Sequence, residues 1–93
     1  MWYYDAIEEL RKADNKLIED WCKDCGVTTP VGYDIDYSNS VLTIYTDKPG
    51  WLIGYRGEKI FKFREVWNQE HYREYEIKFV EVRNGFVNVN DAY

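Results

Sequence analysis

The residues best placed to do chemistry lie between Lys48 and Lys62, around Gly54-Tyr55-Arg56-Gly57. Glycine permits φ > 0 and lets another backbone come close, so two glycines three apart shape a loop that can admit a ligand. A helical pattern starts directly after Gly57. The first amides of a helix lack partners within it and favour a negative group, which makes anion recognition the natural chemistry of this position. Ile53 and Ile60 bracket the turn with apolar side chains, and Arg56, Lys59 and Lys62 supply positive charge.

Net charge is -5, which taken alone opposes a nucleic-acid partner, but the charge is unevenly spread. Residues 1–46 carry four Lys/Arg against nine Asp/Glu, and residues 65–93 carry three against six. Residues 47–64 carry five, Lys48, Arg56, Lys59, Lys62 and Arg64, against Asp47 and Glu58. The only basic segment is therefore the one holding the glycine loop.

Other candidate chemistry is weaker. Cys22 and Cys25 form a Cys-x-x-Cys, but a redox pair of this kind opens a helix, where the dipole lowers the thiol pKa. Here the pair closes a helical pattern just before Gly26, so the dipole acts in the wrong direction. A structural zinc site needs four ligands, and the chain offers only His71 and carboxylates besides the two thiols. Two thiols in a last helical turn, with Cys22 packed inward, is the simpler reading, with no metal and no cofactor. His71 stands in a polar stretch without a sequence partner and reads as a surface or helix-end residue. Asp34 and Asp36 read as the solvated face of a strand. One histidine, no nucleophile–base pairing and no phosphate-binding or dinucleotide fingerprint argue against an enzyme.

Composition sets the frame that must position the loop. A chain of 93 residues that is 45% hydrophobic and 31% charged suits one small globular domain rather than disorder. Aromatic residues reach 18%, and large rings supply much of the apolar area in so short a chain. No apolar run approaches the roughly 18 residues of a membrane span. Met1-Trp2-Tyr3-Tyr4-Asp5 lacks the basic start and apolar run of a signal peptide, so a cytoplasmic protein without membrane association is expected.

Residues 3–25 read as an amphipathic helix. Tyr3, Ile7, Leu10, Leu17, Ile18, Trp21, Cys22 and Cys25 recur at spacings of three and four, or sums of these. Glu8–Lys12 and Glu19–Lys23 are favourable i,i+4 pairs, and Gly26 suits a C-cap. Residues 31–37 alternate as a half-buried strand, with Tyr33, Ile35 and Tyr37 on one face. Residues 38–40 form a turn, and 41–46 a second strand with Leu42 and Ile44 on one face. Pro49 and Gly50 turn the chain into a short helix at 51–53, with Trp51 expected in the core. A longer helix runs from after Gly57 to about residue 69 on Ile60, Phe63 and Trp67, with Glu58 in its first turn. Residues 74–82 form a third strand, with Tyr75, Ile77 and Phe79 on one face. Helices separate strands two and three, so parallel pairing is open to them. Asn84-Gly85 carries a hairpin signal, after which residues 84–93 are a hairpin extension with a short fourth strand, or a tail.

The run from Val41 through Pro49-Gly50-Trp51-Leu52-Ile53-Gly54-Tyr55-Arg56-Gly57-Glu58-Lys59-Ile60 resembles a KH domain. It joins a strand, Pro-Gly, two apolar residues and an Ile-Gly-x-x-Gly-x-x-Ile core. With the preceding helix and strand it is similar to the type II order, α-β-β-α-α-β, of a bacterial small-subunit ribosomal protein, Era-type GTPases and NusA-type factors. The resemblance spans residues 3–83 and implies an α+β fold. In that fold a three-stranded sheet is covered on one face by helices, with room for an extra C-terminal strand.

The resemblance also implies a function. Gly54 and Gly57 would be the small loop residues that let a nucleic-acid backbone approach. Tyr55 and Arg56 would be the variable pair. Amides near Gly57 and Glu58, with Arg56 and Lys59, would hold phosphates, and Lys62 extends the basic edge. Ile53 and Ile60 would line an apolar groove for about four unpaired bases, with Phe79 or its neighbours opposite. Single-stranded RNA is the expected ligand, with single-stranded DNA next. The alternative is a protein-interaction module that keeps the fold, with a protein partner or a second copy of the chain, favoured by the acidic surface and the many aromatics.

Overall fold

In this computed structural model the backbone is described for residues 2–83 and 86–92, and side chains for residues 12–82. The elements are α1 (Trp2–Asp24), β1 (Gly32–Asp36), β2 (Val41–Thr46), α2 (Pro49–Ile53), a 3-10 turn (Tyr55–Gly57), α3 (Glu58–His71), β3 (Glu76–Arg83) and β4 (Phe86–Ala92). The fold is α+β.

Helix α1 forms where the apolar stripe predicts it. Ile18 and Trp21 face the core at 3% and 5% exposure. The stripe residues Tyr3, Ile7 and Leu10, and the Glu8 end of the Glu8–Lys12 pair, lie outside the described side chains. Glu19 does not close the expected pair with Lys23; its carboxylate accepts a hydrogen bond from Asn15 Nδ2 at 3.0 Å instead. The helix ends in a Schellman motif. Gly26 takes φ +73°, its amide reaches the Lys23 carbonyl at 3.1 Å, and the Val27 amide reaches Cys22 at 2.9 Å. A left-handed residue satisfies the last carbonyls there, and buried Val27 supplies the accompanying hydrophobic contact.

The four strands form one sheet in the order β1-β2-β3-β4. The expected three strands are joined by the extra C-terminal strand for which the sequence left room, β4 at Phe86–Ala92. β1 pairs antiparallel with β2, with Tyr33 opposite Ile44 and Ile35 opposite Leu42. β2 runs parallel to β3, with Leu42 opposite Ile77 and Ile44 opposite Phe79. Parallel neighbours need a crossover, and the segment α2 to α3 provides it. β4 returns antiparallel to β3 with Arg83 opposite Phe86. The Asn84-Gly85 turn itself lies outside the described residues.

Period-2 alternation puts Leu42, Ile44, Ile77 and Phe79 on one face, each at 0% exposure. Trp21 of α1 and Phe63 and Trp67 of α3 belong to the same core. The Trp21 ring stacks on Phe63 at 3.9 Å and meets Phe79 edge-on at 6.0 Å, so one side chain ties α1, α3 and the sheet together. The other sheet face is more open, with Tyr45 and Val82 exposed. Among the described residues no helix is long and apolar enough to cross a membrane.

Candidate nucleic-acid interface

The glycine loop is built from its ends inward. Thr46 Oγ1 accepts the Lys48 amide at 3.1 Å and closes the end of β2. Pro49 opens α2, a position where its missing N–H costs nothing. Leu52 of α2 is fully buried, and its carbonyl accepts a buried hydrogen bond from Trp21 Nε1 at 3.0 Å. The short helix that leads into the loop is thereby fastened to α1.

Three residues of the loop then take positive φ. Gly54 has φ 79° and ψ 176°, a region essentially reserved for glycine. Arg56 has φ 56° and ψ 25°, left-handed for a non-glycine residue. Gly57 has φ 76° and ψ 15° and caps the N-terminus of α3. The two glycines are needed for different reasons. A Cβ on Gly54 would lie 2.5 Å from Lys59 Cγ and 3.0 Å from the Lys59 amide nitrogen. The room beside Gly54 is thus taken by the chain's own α3. A Cβ on Gly57 would meet nothing closer than Ile60 Cγ2 at 3.9 Å, so only its φ demands glycine and the space beside it is open.

The side chains separate into an outward and an inward set. Tyr55 is 76% exposed, and the Arg56 guanidinium carbon lies 5.2 Å from its ring centroid. Glu58 and Lys62 are exposed on the first turns of α3. Ile60 is buried at 5% and Phe79 completely, so both serve the core rather than an open wall, while Ile53 is half-buried against it. Lys59 is committed: its Nζ sits 2.9 Å from Asp24 Oδ2 at the end of α1. The hydrogen bond first, then the opposite charge, hold the Asp24 carboxyl below its ordinary range and the Lys59 ammonium above its own.

Trp51 is not in the core. The residue is 55% exposed, with Lys48 Nζ 5.0 Å from the ring centroid. The apolar space beside the loop opens between α1 and α3, a cleft of about 320 Å³. Leu17, Trp21, Phe63 and Val66 line it, together with two carboxylates, Asp20 and Asp24, and two ammonium groups, Lys59 and Lys62.

His71 has a partner that its sequence context does not disclose. It ends α3 as expected, but its side chain is only 8% exposed and its Nε2 lies 2.9 Å from Oδ1 of buried Asp14. Nδ1 lies 2.7 Å from the Trp67 carbonyl, and the ring stacks on Trp67 at 4.2 Å. Tyr37 donates its hydroxyl to Asp14 Oδ2 at 2.5 Å. The cluster packs α1, the end of β1 and α3 together some way along α3 from the loop. Cys22 and Cys25 are free thiols, both pushed up in pKa, chiefly by burial. Among the described residues, no group of three or more His, Cys, Asp or Glu is arranged to hold a metal ion.

Comparison of the chain with protein-family models, curated proteins and solved structures finds no match.

Proposed function

We propose that this chain is a type II KH-like domain that binds single-stranded nucleic acid, RNA foremost, through the Gly54–Gly57 loop. The observation that carries this reading is the loop tip. Tyr55 and Arg56 project into solvent directly before the start of α3, with Arg56 held at positive φ. The element order supports it, with the loop between α2 and α3 and those helices linking two parallel strands. Phosphates contact Arg56 and Lys62; the Gly57 and Glu58 amides, expected from the sequence to share that role, instead donate to the Gly54 and Tyr55 carbonyls and close the turn. Lys59, paired with Asp24, positions the first turn of α3. Bases lie on the apolar surface flanking the loop.

A site touching few phosphates binds weakly alone and loses affinity as salt rises, so useful affinity needs a second linked site. The test is fluorescence anisotropy with a labelled oligouridine. Tyr55→Asp combined with Arg56→Asp should abolish binding and leave thermal unfolding nearly unchanged. Binding equal to the parent would clear the loop of this role. A protein-interaction module is the second reading, favoured by Phe61 and Val66, which stand 63% and 40% exposed on α3. A stable protein complex unaffected by the loop substitutions, without oligonucleotide binding, would establish it.

A further inference from the structure

We propose that Trp51 is a base-stacking platform that extends the nucleic-acid site beyond the glycine loop. This rests on the reading of the loop as a nucleic-acid site and adds a residue and a ligand length to it. Two of the chain's four tryptophans, Trp21 and Trp67, are buried at 5% and 0%, whereas Trp51 is 55% exposed. In a chain this short an indole held in water forgoes much of the apolar burial available to it.

Its outward position is built rather than loose. The adjacent Leu52 is fully buried and its carbonyl is held by Trp21 Nε1, so α2 cannot roll to bring Trp51 inward without breaking a buried hydrogen bond. Trp51 precedes Gly54 by three residues, within one helical turn. The aromatic–cation pairing at the loop tip is repeated here: Lys48 Nζ lies 5.0 Å from the Trp51 centroid, and Arg56 lies 5.2 Å from that of Tyr55. Each side of Gly54 thus presents a flat ring with a positive group beside it.

A flat ring accepts any base, because every base has a π-face, and a cation beside it meets the neighbouring phosphate. That combination fits a single strand better than an isolated anion, which has no use for the rings. The ligand class is therefore single-stranded nucleic acid longer than the about four nucleotides that one such loop clamps. At least one base stacks on Trp51, with little preference for its identity.

The test measures affinity for oligouridines of about four and about eight nucleotides by anisotropy, with the parent, Trp51→Leu and Trp51→Phe. Leucine keeps apolar bulk without the π-face, and phenylalanine keeps the π-face. Thermal unfolding of both variants should match the parent, since the residue is mostly exposed. The parent should bind the longer strand more tightly. Trp51→Leu should lose about fivefold or more on the longer strand and little on the shorter, with Trp51→Phe retaining most of the gain. If Trp51→Leu binds both lengths as the parent does, the stacking platform is overturned and the loop reading survives. If the parent binds neither length, the loop reading falls and this inference with it.

Discussion

Nε2 of His71 stands 2.9 Å from Oδ1 of Asp14, joining the last turn of α3 to the middle of α1 at 8% and 3% side-chain exposure. The contact is close without the alignment of a hydrogen bond. Nδ1 faces the Trp67 carbonyl at 2.7 Å, so an oxygen lies beside each ring nitrogen. Removing Asp14 deprives both the Tyr37 hydroxyl and the buried His71 ring of a partner. Asp14→Ala should cost about 2 kcal/mol in urea unfolding, the scale of leaving buried polar partners unsatisfied, without abolishing oligonucleotide binding. A loss below about 0.5 kcal/mol would show that the pair does not hold α1 to α3.

The Tyr37 hydroxyl completes that cluster and makes stability pH-dependent at the alkaline end. Burial first, then its hydrogen bond to Asp14 and the charge of Asp14, push its pKa well above the ordinary 10.0. A phenol raised in the folded state holds its proton more tightly there than in the unfolded chain. Its contribution is complete below pH 10 and is lost as pH rises from there toward the folded value. Tyr75 is raised too, chiefly by burial, and adds in the same direction. Melting temperature should therefore fall less steeply above pH 10 in Tyr37→Phe than in the parent. Equal slopes would mean that the hydroxyl does not titrate differently on folding.

The Asp24–Lys59 pair makes a prediction about binding. Asp24→Asn removes a negative charge beside the loop and releases the Lys59 ammonium from its 2.9 Å partner, so oligouridine affinity should rise. Arg56→Gln and Lys62→Gln should each weaken binding and lower the salt slope by about 1. Unchanged affinity in Asp24→Asn would place Lys59 out of reach of the phosphates.

Arg56 sits at φ 56° without being glycine, a conformation that costs a residue bearing a Cβ about 1 kcal/mol. Arg56→Gly should raise stability by up to about 1 kcal/mol in chemical unfolding while weakening oligouridine binding. Stability and binding moving together in this variant would argue against strain held at a functional loop.

These relationships differ in how far the linear chain discloses them. β2 appears at the residues its alternation marks, and α1 and α3 follow their apolar stripes, because burial dominates where the period is clean. Helix α3 runs to His71, past the expected end near residue 69, because Tyr72 supplies the left-handed cap at φ 55° and no glycine marks the stop. The Asp14–His71 pair was half legible. Asp14 fills the gap between Leu10 and Leu17 on the α1 stripe, and His71 follows Trp67 by four on α3, so each is a polar residue on a core-facing stripe. Only the packing of α1 against α3 brings them together. The loop glycines were visible in the sequence, but the reason for Gly54 was not, since Lys59 fills the space beside it only once α3 is in place. Trp51 lies outside the core, against expectation, because Leu52 occupies the inward position of so short a helix.

Contact of single-stranded RNA with the Gly54–Gly57 loop and the exposed start of α3 is tested most directly by titrating ¹⁵N-labelled protein with a short oligouridine. Amide shifts should cluster at residues 53–62 and extend to Trp51, and should be absent in the Tyr55→Asp, Arg56→Asp double variant. No shifts at excess RNA, or shifts confined to residues outside 48–62, would contradict it.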